Sequence, residues 1–299
     1  DGGTYVDDIA HDDAAHVVYV RSTVAHGRIT SIDTDEAGAA PGVLAVVTAA
    51  DIDLPDLVPL AIVDQAMTRP VLATDTVRFV GEPIVAVVAE TRSQAVDAAE
   101  GVIVDIEPLE ALVDPEAALA PGAPLLFPEA GTNAAMVIDH HGEPVSFDDC
   151  DVVVTARTVN QRVAPVPIEA RSAVARWEDD RLVVEIGCQG PHPVRTALAE
   201  AYGLDPDQVR VVCPDVGGGF GAKAQIPAEA ILLGELSRRL DRPVRWSETR
   251  SENLVGMNHG RGQVQTVTLG GTADGDLTAY RLDVVQDAGG YPTKGAILP

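Results

Sequence analysis

The chain has 299 residues, of which 46% are apolar and 22% charged, a balance that suits two globular domains and excludes a disordered chain, a collagen-like fibre or a disulfide-stapled miniprotein. It carries 46 acidic against 21 basic residues, for a formal charge of -25, and such a field repels phosphate backbones, so nucleic acid is not an expected partner. No apolar run approaches the roughly 18–20 residues that span a bilayer, no leader is expected after Asp1-Gly2-Gly3, and three scattered cysteines suit a reducing, cytoplasmic compartment.

Residues 17–22 read as a strand, and Ile29 to Asp33 alternate at period two. Pro41-Gly42 marks a turn before a strand at 43–48, and residues 51–70 are proline-interrupted and loop-like. The apolar run 82–89 predicts a buried strand. Thr91 to Glu100 predicts a helix with Ala95, Val96, Ala98 and Ala99 on its apolar face, and 102–106 a further strand. These elements make an α+β domain over residues 1–115. Residues 116–149 are proline-rich and aperiodic, which predicts a linker, and a second domain is expected over 150–299.

In that second domain, 152–159 reads as a strand, and 173–177 should pair with 182–186 across Glu178-Asp179-Asp180. A helix is expected over 193–202, stopped by Gly203, then a strand at 209–212. After a glycine loop come a helix over 227–240, with Ile231, Leu232, Leu233 and Leu236 apolar, and a strand at 244–246. Residues 264–269 and 277–285 should form a hairpin through Ala273-Asp274-Gly275-Asp276. The stop at Ile297-Leu298-Pro299, with no capping element, suggests an unfinished domain.

The sharpest local feature is Val216-Gly217-Gly218-Gly219-Phe220-Gly221-Ala222-Lys223, between a predicted strand and a predicted helix. Backbone without Cβ atoms lets N–H groups approach an anion or a flat cofactor closely. Phe220 inside the cluster either packs on such a cofactor or plugs the core. Gly217, Gly219 and Ala222, with Glu248 downstream, outline a dinucleotide fingerprint, but Cys213-Pro214-Asp215-Val216 separates strand from glycine where that turn wants glycine at once. A Walker A loop is excluded by Ala222 and Ala224 on either side of Lys223. Cys150, Cys188 and Cys213 form no C-x-x-C pair, so this chain alone is not expected to hold an iron–sulfur cluster, and no histidine spacing suggests a protein-held metal. Apart from Lys223 and Lys294 every basic residue is arginine, which fits either a GC-rich genome with an acidic surface or salt adaptation.

At this point the chain resembles the molybdenum-binding large subunit of the xanthine oxidase, aldehyde oxidase and aerobic carbon monoxide dehydrogenase family. The likeness is carried by Tyr5-Val6-Asp7-Asp8, Arg21 to His26, Ile29, Ile32-Asp33, Pro41-Gly42-Val43, Val46-Val47-Thr48, Asp51 and Val80 to Ala89, which resemble the family's hammerhead domain. It continues through Pro165 to Glu169, Cys188-Gln189-Gly190-Pro191-His192, Gly217 to Lys223, Arg242-Pro243-Val244 and Arg250 to Leu254, which resemble the first part of its molybdopterin-binding domain.

The resemblance implies roles. Gln189 matches the glutamine that hydrogen-bonds an oxo-type ligand of molybdenum, Phe220 and Gly221 match the loop against the metal end of the pterin, and Gly217, Gly218 and Gly219 allow that approach. Glu169 is expected to order the domain rather than react, and Arg171 and His192 are read as structural or solvated. Purine-oxidising relatives place a glutamate where Ala224 stands, so xanthine is disfavoured. The 250–254 and Gln-Gly-Pro-His runs look closer to the carbon monoxide dehydrogenase branch, whose copper-ligating cysteine matches none of the cysteines here. That cysteine and the family's catalytic glutamate are both expected beyond Pro299, so no catalytic residue is expected in this chain.

The implied function is hydroxylation of a small substrate, an aldehyde, a heterocycle or carbon monoxide, with water as the oxygen source. The implied cofactor is molybdopterin, as its cytosine dinucleotide, with FAD and [2Fe-2S] clusters on partner subunits in a dimer of heterotrimers. The alternative is a truncated or split, non-catalytic binding or assembly module, inactive alone.

Overall fold

The computed structural model describes residues 2–139 and 145–293; the Ile297-Leu298-Pro299 terminus, on which the unfinished end was read, lies outside the described residues. In chain order the strands are β1 Ala15–Arg21, β2 Gly27–Asp33, β3 Val43–Val47, β4 Thr76–Val77, β5 Pro83–Ala89, β6 Ile103–Pro108, β7 Val152–Asn160, β8 Ser172–Glu178, β9 Arg181–Ile186, β10 Val209–Val212, β11 Val244–Ser247, β12 Gln263–Gly271 and β13 Leu277–Gln286. The α-helices are α1 Asp35–Ala39, α2 Arg92–Ala99, α3 Pro115–Ala118, α4 Pro191–Tyr202, α5 Ala228–Leu240 and α6 Arg250–Gly256.

The chain divides into two compact units. The first joins Asp1–Val58, Thr68–Ala111 and Pro165–Met257, and the second joins Pro59–Met67, Leu112–Ala164 and Asn258–Pro299. A seven-stranded sheet in the order β10-β9-β8-β11-β1-β5-β3 runs through the first unit. Its seam is the parallel pairing of β1 with β11, Ala15 opposite Val244, so strands from both ends of the chain share one hydrogen-bonded layer. β5 is buried at all seven positions, which is why its sequence is a continuous apolar run rather than an alternation. Trp246 of β11 is 1% exposed and meets Tyr19 of β1 edge-to-face at 6.0 Å, and α5 adds fully buried Ile231, Leu232, Leu233 and Leu236 to the same core. A second sheet of this unit runs β4-β2-β6.

The second unit holds the sheet β13-β12-β7, whose hairpin turns at Gly275 with φ +95° as the Ala-Asp-Gly-Asp run requires. In it Asp114 caps α3, and Phe127, 5% exposed, packs edge-to-face on Tyr291 at 5.7 Å. The β8–β9 pairing across Asp179, at φ +52°, also follows the sequence pattern. α1, α3, α6 and the short β4 are additions to the expected elements, α3 falling at the start of the expected linker. Thr249 and Glu252 close a capping box at the start of α6, a signal present in the sequence as S/T-x-x-E. The helix after the glycine loop begins at Ala228, so the loop is not its first turn. Among the described residues no helix is long and apolar enough to cross a membrane.

Candidate cofactor-binding site

The loop between β10 and α5 is built on left-handed backbone: Gly218 has φ +100°, Phe220 +53° and Gly221 +88°. For Phe220 that conformation costs about 1–3 kcal/mol, and nothing in the core recovers it, because the ring is 74% exposed. The core-plug reading of Phe220 is therefore excluded. Val166, in the facing segment, is likewise left-handed at φ +41°, and Ile168 beside it is 94% exposed. A Cβ on Gly218 would stand 2.9 Å from the Phe220 ring and 3.2 Å from Pro167 Cβ, so the loop and the 165–169 segment touch there. Arg250 at the start of α6 fixes that segment by donating to the carbonyls of Pro167 at 2.7 Å and Ile168 at 2.8 Å.

Gln189 follows buried Cys188 at the end of β9 and reaches into the loop. Its Oε1 accepts the N–H groups of Gly221 at 2.9 Å and Lys223 at 3.1 Å, while its own N–H donates to the Lys223 carbonyl at 2.9 Å. Two donors converging on one end of the amide define that end as oxygen, so the NH2 is the end turned away, and the side chain is exposed. Gly219 makes this possible, because a Cβ there would lie 2.6 Å from Gln189 Oε1. Burial pushes the neighbouring Cys188 thiol up to about 11, so it stays protonated at neutral pH.

Glu169 lies under the loop. Its Oε2 accepts the Gly217 N–H at 2.7 Å and Lys223 Nζ at 2.6 Å. A Cβ on Gly217 would stand 2.5 Å from Glu169 Cβ, so that glycine lets the Glu169 side chain pack against the loop. Further in, a buried ionic cluster supports the whole platform. Arg21 donates to Glu229 at 2.8 Å and to Glu252 at 2.9 Å; Arg171 pairs with Glu248, which also accepts from Asn253 at 2.8 Å. Burial pushes the Glu229 carboxyl up, but the Arg171 and Arg21 guanidiniums outweigh it and hold it at about 2. Arg171 is thus structural, as expected, and His192 is exposed at the start of α4.

The structure brings Gln189 and Gly217 to Gly221 together, with Gln189, Phe220 and Gly221 exposed and Gly217, Gly218 and Gly219 half-buried. Lys223 and the Arg21–Glu229 pair were missed by sequence reasoning. The rarity of lysine in this chain was a usable signal for the first, and a partner 208 residues away gave none for the second. The donor set fits a flat, polar cofactor: a Cβ-free approach, a strained exposed ring, and a neutral amide held by its oxygen.

Comparisons with known proteins agree. Residues 126–299 match the family model of the molybdopterin cofactor-binding domain, and residues 2–110 match the aldehyde oxidase and xanthine dehydrogenase a/b hammerhead domain. The chain is 38% identical over 297 residues to the nicotine 6-hydroxylase large subunit of Paenarthrobacter nicotinovorans, covering 97% of this chain and 36% of that protein. It is 36% identical over 310 residues to the carbon monoxide dehydrogenase large chain of Afipia carboxidovorans, covering 97% and 38%. Among solved structures, carbon monoxide dehydrogenase from Oligotropha carboxidovorans superposes with a TM-score of 0.86 at 36% identity, covering 94% of this chain and 37% of that one. Quinoline 2-oxidoreductase from Pseudomonas putida 86 gives 0.85 at 35%, covering 94% and 37%. The chain therefore belongs to the family of molybdenum-binding large subunits that includes xanthine dehydrogenases, aldehyde oxidases and carbon monoxide dehydrogenases, and its α+β fold is a hammerhead domain with part of a molybdopterin-binding domain. It spans little more than a third of the length of the curated relatives named here.

Proposed function

We propose that this chain cradles molybdopterin in a molybdenum hydroxylase that oxidises a small substrate, an aldehyde, a heterocycle or carbon monoxide, with water as the oxygen source. The observation that carries the reading is the Gln189 amide, clamped through Oε1 by the Gly221 and Lys223 N–H groups beside the exposed Phe220 ring. When bound, the cofactor supplies the redox centre. The chain's residues bind and orient it: Gly218, Gly219 and Gly221 admit it to the backbone, Phe220 offers an apolar face, and Gln189 presents a neutral donor that hydrogen-bonds without adding charge. Ala224 offers a purine edge no hydrogen bond, so a xanthine-type substrate is disfavoured. In this reading the cofactor is the cytosine dinucleotide form, and electrons leave to [2Fe-2S] clusters and FAD on partner subunits of a cytoplasmic dimer of heterotrimers. Residues 1–115 form the hammerhead domain, 116–149 the connection and 150–299 the start of the cofactor domain. The test is metal and pterin analysis of the native complex after gel filtration. Near-stoichiometric molybdenum with a cytosine dinucleotide supports the reading; molybdenum-free protein overturns it in favour of a non-catalytic module.

A further inference from the structure

Resting on that reading of the loop, we propose that Glu169 and Lys223 are positioning residues, a buried ion pair that closes the glycine loop on itself and aims the Gln189 amide at the cofactor. Lys223 is one of only two lysines in the chain, and its side chain is 1% exposed. Its Nζ and the Gly217 N–H converge on the same carboxylate oxygen, Glu169 Oε2, at 2.6 and 2.7 Å. The Glu169 backbone N–H donates to the Gly217 carbonyl at 3.1 Å. Glu169 thus holds the loop's first glycine through main chain and side chain together, and its last residue through the ion pair. Lys223 in turn carries two of the three main-chain bonds that fix Gln189, the third coming from the Gly221 N–H: its N–H meets Oε1 at 3.1 Å and its carbonyl accepts the Gln189 N–H at 2.9 Å. One residue therefore links carboxylate to amide.

The space for the Glu169 side chain is prepared by glycine on two sides. A Cβ on Gly217 would clash with Glu169 Cβ, and one on Gly187 would press on Oε1 at 3.2 Å. Desolvating two charges cancels much of their attraction, so a buried pair of this kind is weak evidence for stability, and an apolar pair could pack the same volume. What an ion pair adds is direction: it fixes where the loop ends sit relative to Glu169, and hence where the Gln189 NH2 points.

The test uses the native complex carrying Lys223→Met, Glu169→Gln, Gln189→Ala and Gln189→Ala/Lys223→Met. It reads molybdenum per polypeptide, turnover per molybdenum, and the electron paramagnetic resonance spectrum of the half-reduced metal. Lys223→Met should lower turnover per molybdenum about tenfold and change the spectrum as Gln189→Ala does, with the double variant no worse than Gln189→Ala. Glu169→Gln keeps an acceptor for Gly217 and Lys223 and should lose only about threefold. Lower yield or melting temperature with wild-type turnover per molybdenum and a wild-type spectrum would overturn the proposal. If Lys223→Met fails to fold, Glu169→Gln decides, and a wild-type spectrum with full turnover overturns it again. A wild-type complex without molybdenum would overturn the cofactor reading itself, a failure distinct from that of the pair.

Discussion

Arg21 and Glu229 stand 208 residues apart and meet at 2.8 Å inside the first unit, with side chains 8% and 1% exposed. The pair ties the end of β1 to the first turn of α5, the helix that follows the glycine loop, and Arg21 also reaches Glu252 in α6 at 2.9 Å. The platform under the loop is thus held partly by charge that arrives from the hammerhead portion of the chain.

Arg21→Met leaves Glu229 without its closest cation and Glu252 without its guanidinium partner. Removing one member of a buried pair costs about 3–5 kcal/mol, and Arg171, 3.7 Å from Glu229, offsets part of it. Chemical denaturation should show a large loss of stability in the first unit. A loss no greater than that of a surface substitution would contradict the pairing.

The same cluster sets an acid response. Glu229 has an ordinary value of 4.5 in the unfolded chain and about 2 in the folded one, because the arginines outweigh burial. A depressed carboxyl contributes stability above 4.5 that is lost as the pH falls through 2. Stability of the wild type should be flat from this group near neutrality and decline between about pH 5 and pH 2. Glu229→Gln should be less stable near neutrality and show a shallower decline; an unchanged slope would remove Glu229 from the acid response.

His259 behaves oppositely to a histidine that gains an acidic partner. Burial first, then Arg162, lowers it from 6.5 to about 4, while its ring meets the Asp287 carbonyl at 3.1 Å. The unfolded chain takes up the proton earlier, so the second unit should lose stability as the pH falls from 6.5 through 4. Hydrogen exchange in β12 and β13 should report this, and His259→Gln should abolish that part of the slope.

Gly219→Ala should reproduce Gln189→Ala. The new methyl would sit 2.6 Å from Gln189 Oε1, and a flexible side-chain end yields before backbone does, so the amide swings out and loses both N–H partners. The fold should be kept, while turnover of the loaded complex falls about tenfold, a buried hydrogen bond to a charged centre being worth roughly 1.5–3 kcal/mol. Full turnover in both variants would show that the amide has no role at the cofactor.

Much of this was legible in local pattern. The continuous apolar run of β5, the Asp-Gly turn of the last hairpin and the glycine cluster before α5 each carry their cause in a few adjacent residues. α6 was open to reading through its Thr249–Glu252 capping box but has too few apolar repeats to show a period. The parallel β1–β11 seam and the Arg21–Glu229 pair depend on residues more than 200 positions apart, and no local spacing encodes such partners. The contact between Gly217 and Glu169, 48 residues earlier, is of the same kind: only the fold shows that the missing Cβ also leaves room for the Glu169 side chain.

The central claim, that the 217–221 loop receives molybdopterin, is tested most directly by molybdenum content in Gly218→Val. Valine at φ +100° is strained, and its Cβ would press the Phe220 ring at 2.9 Å and Pro167 at 3.2 Å, closing the approach while β1, β5 and α5 are untouched. Mass-spectrometric metal analysis of the folded native complex should find near-stoichiometric molybdenum in the wild type and a large loss in the variant. Equal molybdenum in both would contradict the claim and leave the loop as a connection between β10 and α5.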